Sequence, residues 1–206
     1  TRDLLNSMPI TVLDDPDPAY RQSQKMSALA ALAAERGADW VVPVDADELW
    51  SHPTMSLSGY LSALPDDRSI ARAALYDYVA TGYDDPDIES PMQRIQWRRN
   101  KPAPLQKVAC RPSIPVVIEQ GNHGAHYNNT LPPVDGLVIR HFPYRSAKQM
   151  TRKVANGWQG LNAAPELPYS SGQHWRDYGA LEAANPGAIA DVFYQWFYVD
   201  NPAHPK

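Results

Sequence analysis

Apolar residues in the first third of the chain alternate between helical and strand spacing. Residues 20–36 are rich in alanine, and their larger apolar side chains recur three and four positions apart, which predicts an amphipathic helix ending near Gly37. Residues 40–44 form an apolar run with the length of a strand buried on both faces, although Pro43 cannot donate a hydrogen bond to a neighbouring strand. The shorter predicted elements are a helix over 2–8, a strand over 10–13 and a helix over 57–64 capped by Ser56.

The pattern changes to short strands in the middle of the chain and returns to helices at its end. Ser146 followed by Gln149 is the sequence of a capping box, and the apolar positions behind it predict a helix. This order of elements predicts one α/β domain over residues 1–206. The predicted strands cover 73–80, 92–98, 105–110, 116–119 and 137–141, and the remaining helices cover 175–184 and 188–199.

Composition and charge exclude several classes of protein. Of the 206 residues, 43% are hydrophobic, which is typical of a folded chain, and no apolar stretch is long enough to span a membrane. The formal net charge is −4 and no long basic block occurs, so nucleic acid is not an expected partner. The 20 prolines indicate many turns. Cys110 is the only cysteine in the sequence, which excludes an internal disulfide and favours a reducing, cytoplasmic location. The sequence leaves the oligomeric state open.

The strongest chemical signal is the acidic segment that follows the apolar run of residues 40–44. Asp45, Asp47 and Glu48 place three carboxylates within four residues, and like charges so close together require a compensating cation. On an extended backbone Asp45 and Asp47 point to the same side, where they can share a hard divalent ion. The alternative is a solvated acidic loop without a ligand.

Histidines and a basic segment add to this signal. His123 lies in a glycine-flanked loop, where the backbone can approach a ligand, and His141 ends a predicted strand. His141 either completes an Mg²⁺ or Mn²⁺ site with two carboxylates or forms a hydrogen bond in the core. Arg145 and Lys153 belong to a group of cations around the start of the Ser146 helix, which is either a phosphate-binding surface or an exposed charged face. Together these features suggest chemistry on a diphosphate.

Several blocks of the sequence, taken in order, resemble the family 2-type glycosyltransferases, which have the GT-A fold. One block resembles the helix, strand and acidic motif in the middle of that family, and others resemble a bacterial subgroup of it. The opening of the chain resembles the segment just after the acidic, glycine-containing turn at which the family begins to hold its nucleotide. The matching residues are 20–26 with 37–48, then 121–123, then 141–146 with Lys153 and Asn156-Gly157, and, for the opening, 1–5.

The resemblance implies transfer of a sugar from a nucleotide-sugar donor, expected to be a UDP-sugar, to a carbohydrate or glycolipid acceptor. It also implies a GT-A-like, Rossmann-like mixed sheet flanked by helices. In this arrangement the nucleotide and metal bind to residues 1–50, the acceptor-side strands and loops lie in 51–145, and C-terminal helices occupy 146–206.

The same resemblance implies roles for individual residues. An Mn²⁺ or Mg²⁺ ion would be held by Asp47, with Asp45 as a ligand of the metal or of the ribose and His141 as a ligand of the metal or of the diphosphate. Arg145 and Lys153 would bind the phosphates. The remaining residues implied in substrate binding are Arg21, Gln24 and Lys25 beside the nucleotide, Asp45 at its ribose, and Glu48 in support of the loop or the acceptor.

An inverting transferase needs a general base near the acceptor hydroxyl, and no motif defines its position here. Glu119 and His123 are the candidates for catalysis, because both fall in the acceptor-side region. Glu119 is equally compatible with an ordinary charge at the end of a strand.

One part of the family's pattern has no counterpart in residues 1–206. The first strand and the nucleotide-contacting acidic turn would precede Thr1. We therefore expect the sheet of these residues to leave an apolar edge exposed or covered by a partner. We also expect weak or absent sugar transfer by residues 1–206 alone.

Two other functions are compatible with parts of the sequence. A phosphatase of the haloacid dehalogenase type also carries D-x-D after an apolar strand, but it requires Thr or Val soon after the second Asp, where this chain has Glu48-Leu49-Trp50. A non-catalytic carbohydrate-binding or interaction module is the other alternative, because the 6 tryptophans and 11 tyrosines offer flat faces for sugars.

Overall fold

The structure of the chain, a computed structural model, describes residues 2–112, 115–128 and 131–202, so Thr1 lies outside it. The helices are α1 (Arg2–Asn6), α2 (Gln22–Glu35), α3 (Leu57–Ala63), α4 (Pro91–Arg94), α5 (Ala147–Asn162), α6 (Gln173–Ala184) and α7 (Ala188–Val192), with a π-helical turn over Phe193–Phe197. The strands are β1 (Glu48–Ser51), β2 (Ile70–Thr81), β3 (Trp97–Arg98), β4 (Lys107–Cys110), β5 (Val117–Ile118), β6 (Ala125–His126), β7 (Val134–His141) and β8 (Tyr198–Val199).

A mixed sheet is organised around β2, which pairs with β7, β3, β4 and β8. β7 runs parallel to β2, and β1 pairs antiparallel with β7. β4 and β3 pair antiparallel with the first and later parts of β2, while β8 pairs parallel with its end. β5 and β6 form a separate antiparallel pair. The predicted α/β class is therefore confirmed in its coarse form, a mixed sheet flanked by helices.

The core follows the alternation of side chains along β2. Ala71, Ala73 and Leu75 are buried because every second residue of a strand faces the same side. They pack with Leu61 of α3 and Ile139 of β7 in one cluster. A second cluster joins the C-terminal helices to the end of β2, and its buried members are Ala80, Tyr144, Met150, Val154, Ile189 and Phe193.

α5 begins close to where its capping pattern predicts. The side-chain oxygen of Ser146 accepts a hydrogen bond from the backbone N–H of Gln149 at 3.2 Å. The Gln149 side chain accepts from the N–H of Arg145 at 3.1 Å, one residue earlier than in a standard capping box. Helices predicted over 20–36, 57–64 and 175–184 are also confirmed as α2, α3 and α6. Within the described residues, no helix has both the length and the apolar character needed to cross a membrane.

The strand predicted over residues 40–44 is wrong. Only Val41 forms a bridge there, with Cys110. Pro43 has no N–H to donate and Val44 is 54% exposed, so the run is paired at Val41 alone among the described residues and is not buried on both faces. The strand forms after the acidic segment instead, as β1.

Three other local predictions are wrong. In each case the residues either have no partner strand, begin a helix, or pair with β2. Residues 10–13 form no strand, and Ile10 and Leu13 are half exposed. Residues 92–98 divide between α4, which Pro91 begins, and the short β3. The helix predicted over 188–199 ends early because Tyr198–Val199 pairs with β2.

Candidate active site

The acidic segment forms a tight turn that leads into β1. The N–H of Glu48 donates to the carbonyl oxygen of Asp45 at 3.0 Å, which closes the turn. The backbone is therefore not extended, and the prediction that an extended segment directs Asp45 and Asp47 to one side is wrong. Each carboxylate binds a lysine of its own. Asp45 binds Lys107 and Asp47 binds Lys153.

Lys107 is buried between two carboxylates. Its Nζ lies 2.6 Å from Oδ2 of Asp45 and 3.0 Å from Oε1 of the fully buried Glu48. Burial lowers the pKa of Lys107, but the two carboxylates outweigh this effect and leave the pKa above its ordinary value. The other oxygen of Glu48 accepts from the indole of Trp50 at 3.1 Å. Glu48 therefore supports the turn through Lys107, a residue that sequence reasoning missed.

The second oxygen of Asp45 connects the turn to the loop that carries His123. Oδ1 of Asp45 accepts from the amide of Gln22 at 3.0 Å and from the amide of Asn122 at 3.4 Å. Asn122 is fully buried with a φ of 60°, a left-handed conformation that asparagine tolerates better than most residues. Gln22 and Asn122 were not predicted. The signal for Asn122 was its place in the Gly121–Gly124 loop.

Asp47 and His141 face each other beside Lys153. Nε2 of His141 lies 3.8 Å from Oδ2 of Asp47, and the Lys153 ammonium binds the same oxygen. Burial raises the pKa of Asp47, but the Lys153 charge, with a smaller contribution from His141, outweighs this and holds the pKa below its ordinary value. Asp47 is therefore a carboxylate at neutral pH, and Lys153 balances its charge.

Asp77, which was not predicted, holds the other side of the His141 ring. Nδ1 of His141 lies 2.7 Å from Oδ1 of Asp77, and the two residues are directly paired across β7 and β2. A carboxylate only accepts hydrogen bonds, so Nδ1 carries a proton, and in the neutral form of the ring Nε2 carries none and faces Asp47. Carboxylate–histidine pairs of this kind orient imidazoles that bind metal ions.

A cavity of about 600 Å³ is lined by these groups, and we call it the Asp47 cavity. A Cβ at Gly157 would lie 2.8 Å from the Trp175 ring, so the glycine of the Asn156-Gly157 pair leaves room for this indole in the wall. The predicted site residues that line the cavity are Asp45, Asp47, His123, His141, Arg145 and Lys153. Lining residues that sequence reasoning missed include Tyr20, Gln22, Lys107, Tyr144 and Trp175.

The three residues predicted beside the nucleotide on the α2 side do not line this cavity. Arg21 pairs with Asp17 and Glu166, each at 2.8 Å. Lys25 pairs with Asp15 at 2.5 Å, and Gln24 is exposed. The structure brings their neighbours Tyr20 and Gln22 to the cavity instead.

The two candidate bases lie in different surroundings. Glu119 does not line the cavity and pairs with His126 at 2.6 Å. His123 lines the cavity, and its Nδ1 lies 2.8 Å from the carbonyl oxygen of Gln106. Since a carbonyl only accepts, Nδ1 is the donor, and Nε2 of neutral His123 can accept a proton.

Within residues 2–112, 115–128 and 131–202, no group of three or more histidine, cysteine, aspartate or glutamate side chains is arranged to hold a metal ion. Asp47 and His141 are a pair of ligand-type side chains, and Asp45 is bonded elsewhere. No protein-family model, curated protein or solved structure matches the chain. The geometry of the Asp47 cavity is therefore the basis of the function proposed below.

Proposed function

We propose that the chain is a glycosyltransferase of the GT-A type, similar to family 2, that moves a sugar from a nucleotide-sugar donor to a carbohydrate or glycolipid acceptor. The observation that carries this proposal is the convergence of Asp47, His141, Lys153 and Arg145 on one cavity. A volume of about 600 Å³ is in the range of small-molecule sites and suits a nucleoside diphosphate with its sugar. A UDP-sugar is the proposed donor.

The residues fit a divalent cation that is held partly by protein side chains and partly by the substrate. Asp47 and the unprotonated Nε2 of His141 offer two protein ligands, and Mg²⁺ and Mn²⁺ sites are commonly completed by phosphate oxygens and water. When bound, Mn²⁺ or Mg²⁺ would neutralise charge on the diphosphate leaving group. Asp45 already bonds to Lys107 and Gln22, so we assign it to support of the nucleotide side.

Lys153 must exchange its ion-pair partner when a substrate binds. Its ammonium neutralises Asp47, and its side chain is 30% exposed at the cavity. A cation bound to Asp47 would compete with this ion pair, and the lysine would then bind the diphosphate, as would Arg145. Lys153 and Arg145 thus compensate the charge of a dianionic ligand in a chain of net charge −4.

His123 is the candidate base that the geometry favours. It lines the same cavity and keeps Nε2 available, whereas Glu119 is paired with His126 outside it. In the proposed reaction Nε2 of His123 accepts the proton of the acceptor hydroxyl as that oxygen bonds to the anomeric carbon, the bond from this carbon to the diphosphate oxygen breaks, and the nucleoside diphosphate leaves.

Calorimetry with UDP, in the presence and absence of Mn²⁺, tests the proposal. We expect Mn²⁺ to tighten UDP binding by the parent chain and to have little effect on Asp47→Ala. Asp87→Ala is the matched control, because Asp87 is exposed and does not line the cavity. If Mn²⁺ leaves UDP binding unchanged in the parent, and Asp47→Ala binds UDP as the parent does, the proposal is wrong.

A further inference from the structure

A second cavity adjoins the Asp47 cavity through the Asp77–His141 pair. It has a volume of about 770 Å³, and we call it the Trp196 cavity. Asp77 lines it, whereas His141, 2.7 Å from Asp77, lines the Asp47 cavity. Ala103, which also lines the Trp196 cavity, donates a backbone hydrogen bond to Leu75 of the Asp47 cavity at 2.7 Å, so the two cavities lie side by side. The lining residues that matter below are Asp77, Arg98, Arg99, Lys101, Gln195 and Trp196.

The described residues that line the Trp196 cavity carry more positive than negative charge. The Arg98 guanidinium lies 4.3 Å from the centre of the Tyr76 ring, and Arg99 donates to the carbonyl oxygen of Trp196 at 2.9 Å. Among the residues that the structure describes, no carboxylate forms an ion pair with Arg98, Arg99 or Lys101. Asp77, the one carboxylate among the described lining residues, offsets one of these three cations, and it is hydrogen-bonded to His141. These cations therefore attract an anionic ligand.

An exposed tryptophan also lines this cavity. Trp196 is 62% exposed, although Phe193 of the same turn is buried in the core. Both belong to the π-helical turn, a rare conformation that is frequent at functional sites. The π-helical turn joins α7 to β8, and Arg99 bonds to its backbone. A large flat apolar face held beside hydrogen-bonding groups suits the ring of a sugar.

We propose that the Trp196 cavity binds an anionic saccharide, a sugar that carries a carboxylate or a phosphate. The ring lies against Trp196, and its anionic group binds Lys101 and Arg99. Arginine and lysine bind such anions through charge-assisted hydrogen bonds. The bound saccharide is the acceptor, a role that rests on the proposed transferase function, because Asp77 of this cavity is hydrogen-bonded to His141 of the donor site.

Calorimetry with matched saccharides tests this cavity separately from the donor site. The probes are tetragalacturonic acid, its fully methyl-esterified form and glucose 6-phosphate. The acid and its ester share the same sugar chain and differ in charge. We expect the acid to bind at least about tenfold more tightly than the ester, the size of effect that one charged hydrogen bond commonly has. Comparison of the acid with glucose 6-phosphate identifies which anionic group the cavity prefers.

Variants locate the binding. Lys101→Gln should weaken binding of the acid by about tenfold, as expected for loss of a charged contact. Lys148→Gln is the matched control, because this exposed lysine lies on α5 away from both cavities. Trp196→Ala should weaken the acid and the ester alike. Both substitutions are at exposed side chains, so the fold is expected to persist, which circular dichroism checks.

The proposal is overturned if the ester binds as tightly as the acid, if Lys101→Gln binds the acid as the parent does, or if none of the probes binds. Titration of the same variants with UDP and Mn²⁺ distinguishes this result from a failure of the transferase proposal. Trp196→Ala is expected to bind UDP normally. Absence of UDP binding by the parent would contradict the transferase alone, since the saccharide titrations would still report on the Trp196 cavity.

Discussion

Asp77 and His141 lie directly opposite each other on the parallel strands β2 and β7, and a hydrogen bond of 2.7 Å joins their side chains. The strand pairing fixes this contact. It sets the proton of His141 on Nδ1 and leaves Nε2 facing Asp47 at 3.8 Å. The metal-binding capacity that we propose therefore depends on Asp77, which does not itself reach the ion.

Asp77→Asn tests this dependence. An amide no longer requires the proton to be on Nδ1, so the imidazole can present a protonated Nε2 to Asp47. We expect affinity for Mn²⁺ in the presence of UDP to fall by about 10- to 100-fold, the usual cost of losing a carboxylate behind a metal-binding histidine. Titration of Mn²⁺ followed by electron paramagnetic resonance measures this, with Asp87→Asn as the control. Equal Mn²⁺ affinity in both variants would show that Asp77 does not orient His141.

Lys107 makes a separate prediction about stability. Lys107→Met leaves the fully buried Glu48 without its ammonium partner, and breaking a buried ion pair on one side typically costs about 3–5 kcal/mol. Urea denaturation at pH 7 measures the free energy of unfolding. Adding Glu48→Gln to Lys107→Met should recover part of the loss, because the second change removes the unpaired charge. A double variant less stable than Lys107→Met would contradict this account.

The pKa of Asp47 predicts a pH dependence. This pKa is lowered in the folded chain from an ordinary value of 3.8. A lowered carboxyl pKa stabilises the fold fully above the unfolded value, and the stabilisation is lost as pH falls through the lower folded value. The stability difference between the parent and Asp47→Asn should therefore stay constant above about pH 5 and change in favour of the variant at lower pH. Denaturation curves at several pH values check this, and a difference independent of pH down to acid unfolding would refute it.

The left-handed backbone conformation of Asn122 predicts which of two variants is the more stable. Its φ of 60° costs an L-residue without a compensating side chain roughly 1–2 kcal/mol relative to glycine. Asn122→Gly and Asn122→Ala both lose the amide that donates to Asp45, but only alanine retains the backbone penalty. Asn122→Ala should thus be the less stable variant by about 1 kcal/mol in thermal or urea unfolding. The reverse order would mean that the left-handed conformation is not what selects asparagine here.

Local patterns predicted the elements whose residues interact with near neighbours. α2 follows from apolar spacing, and α5 follows from its Ser146–Gln149 cap. The strand predicted over residues 40–44 is wrong because an apolar run does not reveal whether a partner strand can pair with a segment that contains Pro43. The strand that does form, β1, depends on pairing with β7, far away in the sequence.

The candidate site was predicted in part for the same reason. The acidic segment, His141 and Lys153 could be identified from local composition and from the resemblance to known glycosyltransferases. Lys107 and Asp77 could not, because their partners are 62 and 64 positions away and are brought close only by the sheet. A lysine beside the apolar residues of β4 was a signal that a buried carboxylate exists, but it did not identify Asp45.

The central claim is that Asp47 and His141 hold a divalent cation jointly with a nucleoside diphosphate. The most direct measurement is the electron paramagnetic resonance signal of free Mn²⁺ when UDP is added to the parent chain and, in parallel, to Asp47→Ala, which corrects for Mn²⁺ bound by UDP alone. Our account predicts that the signal falls clearly further with the parent than with the variant. An identical fall with both proteins would contradict it.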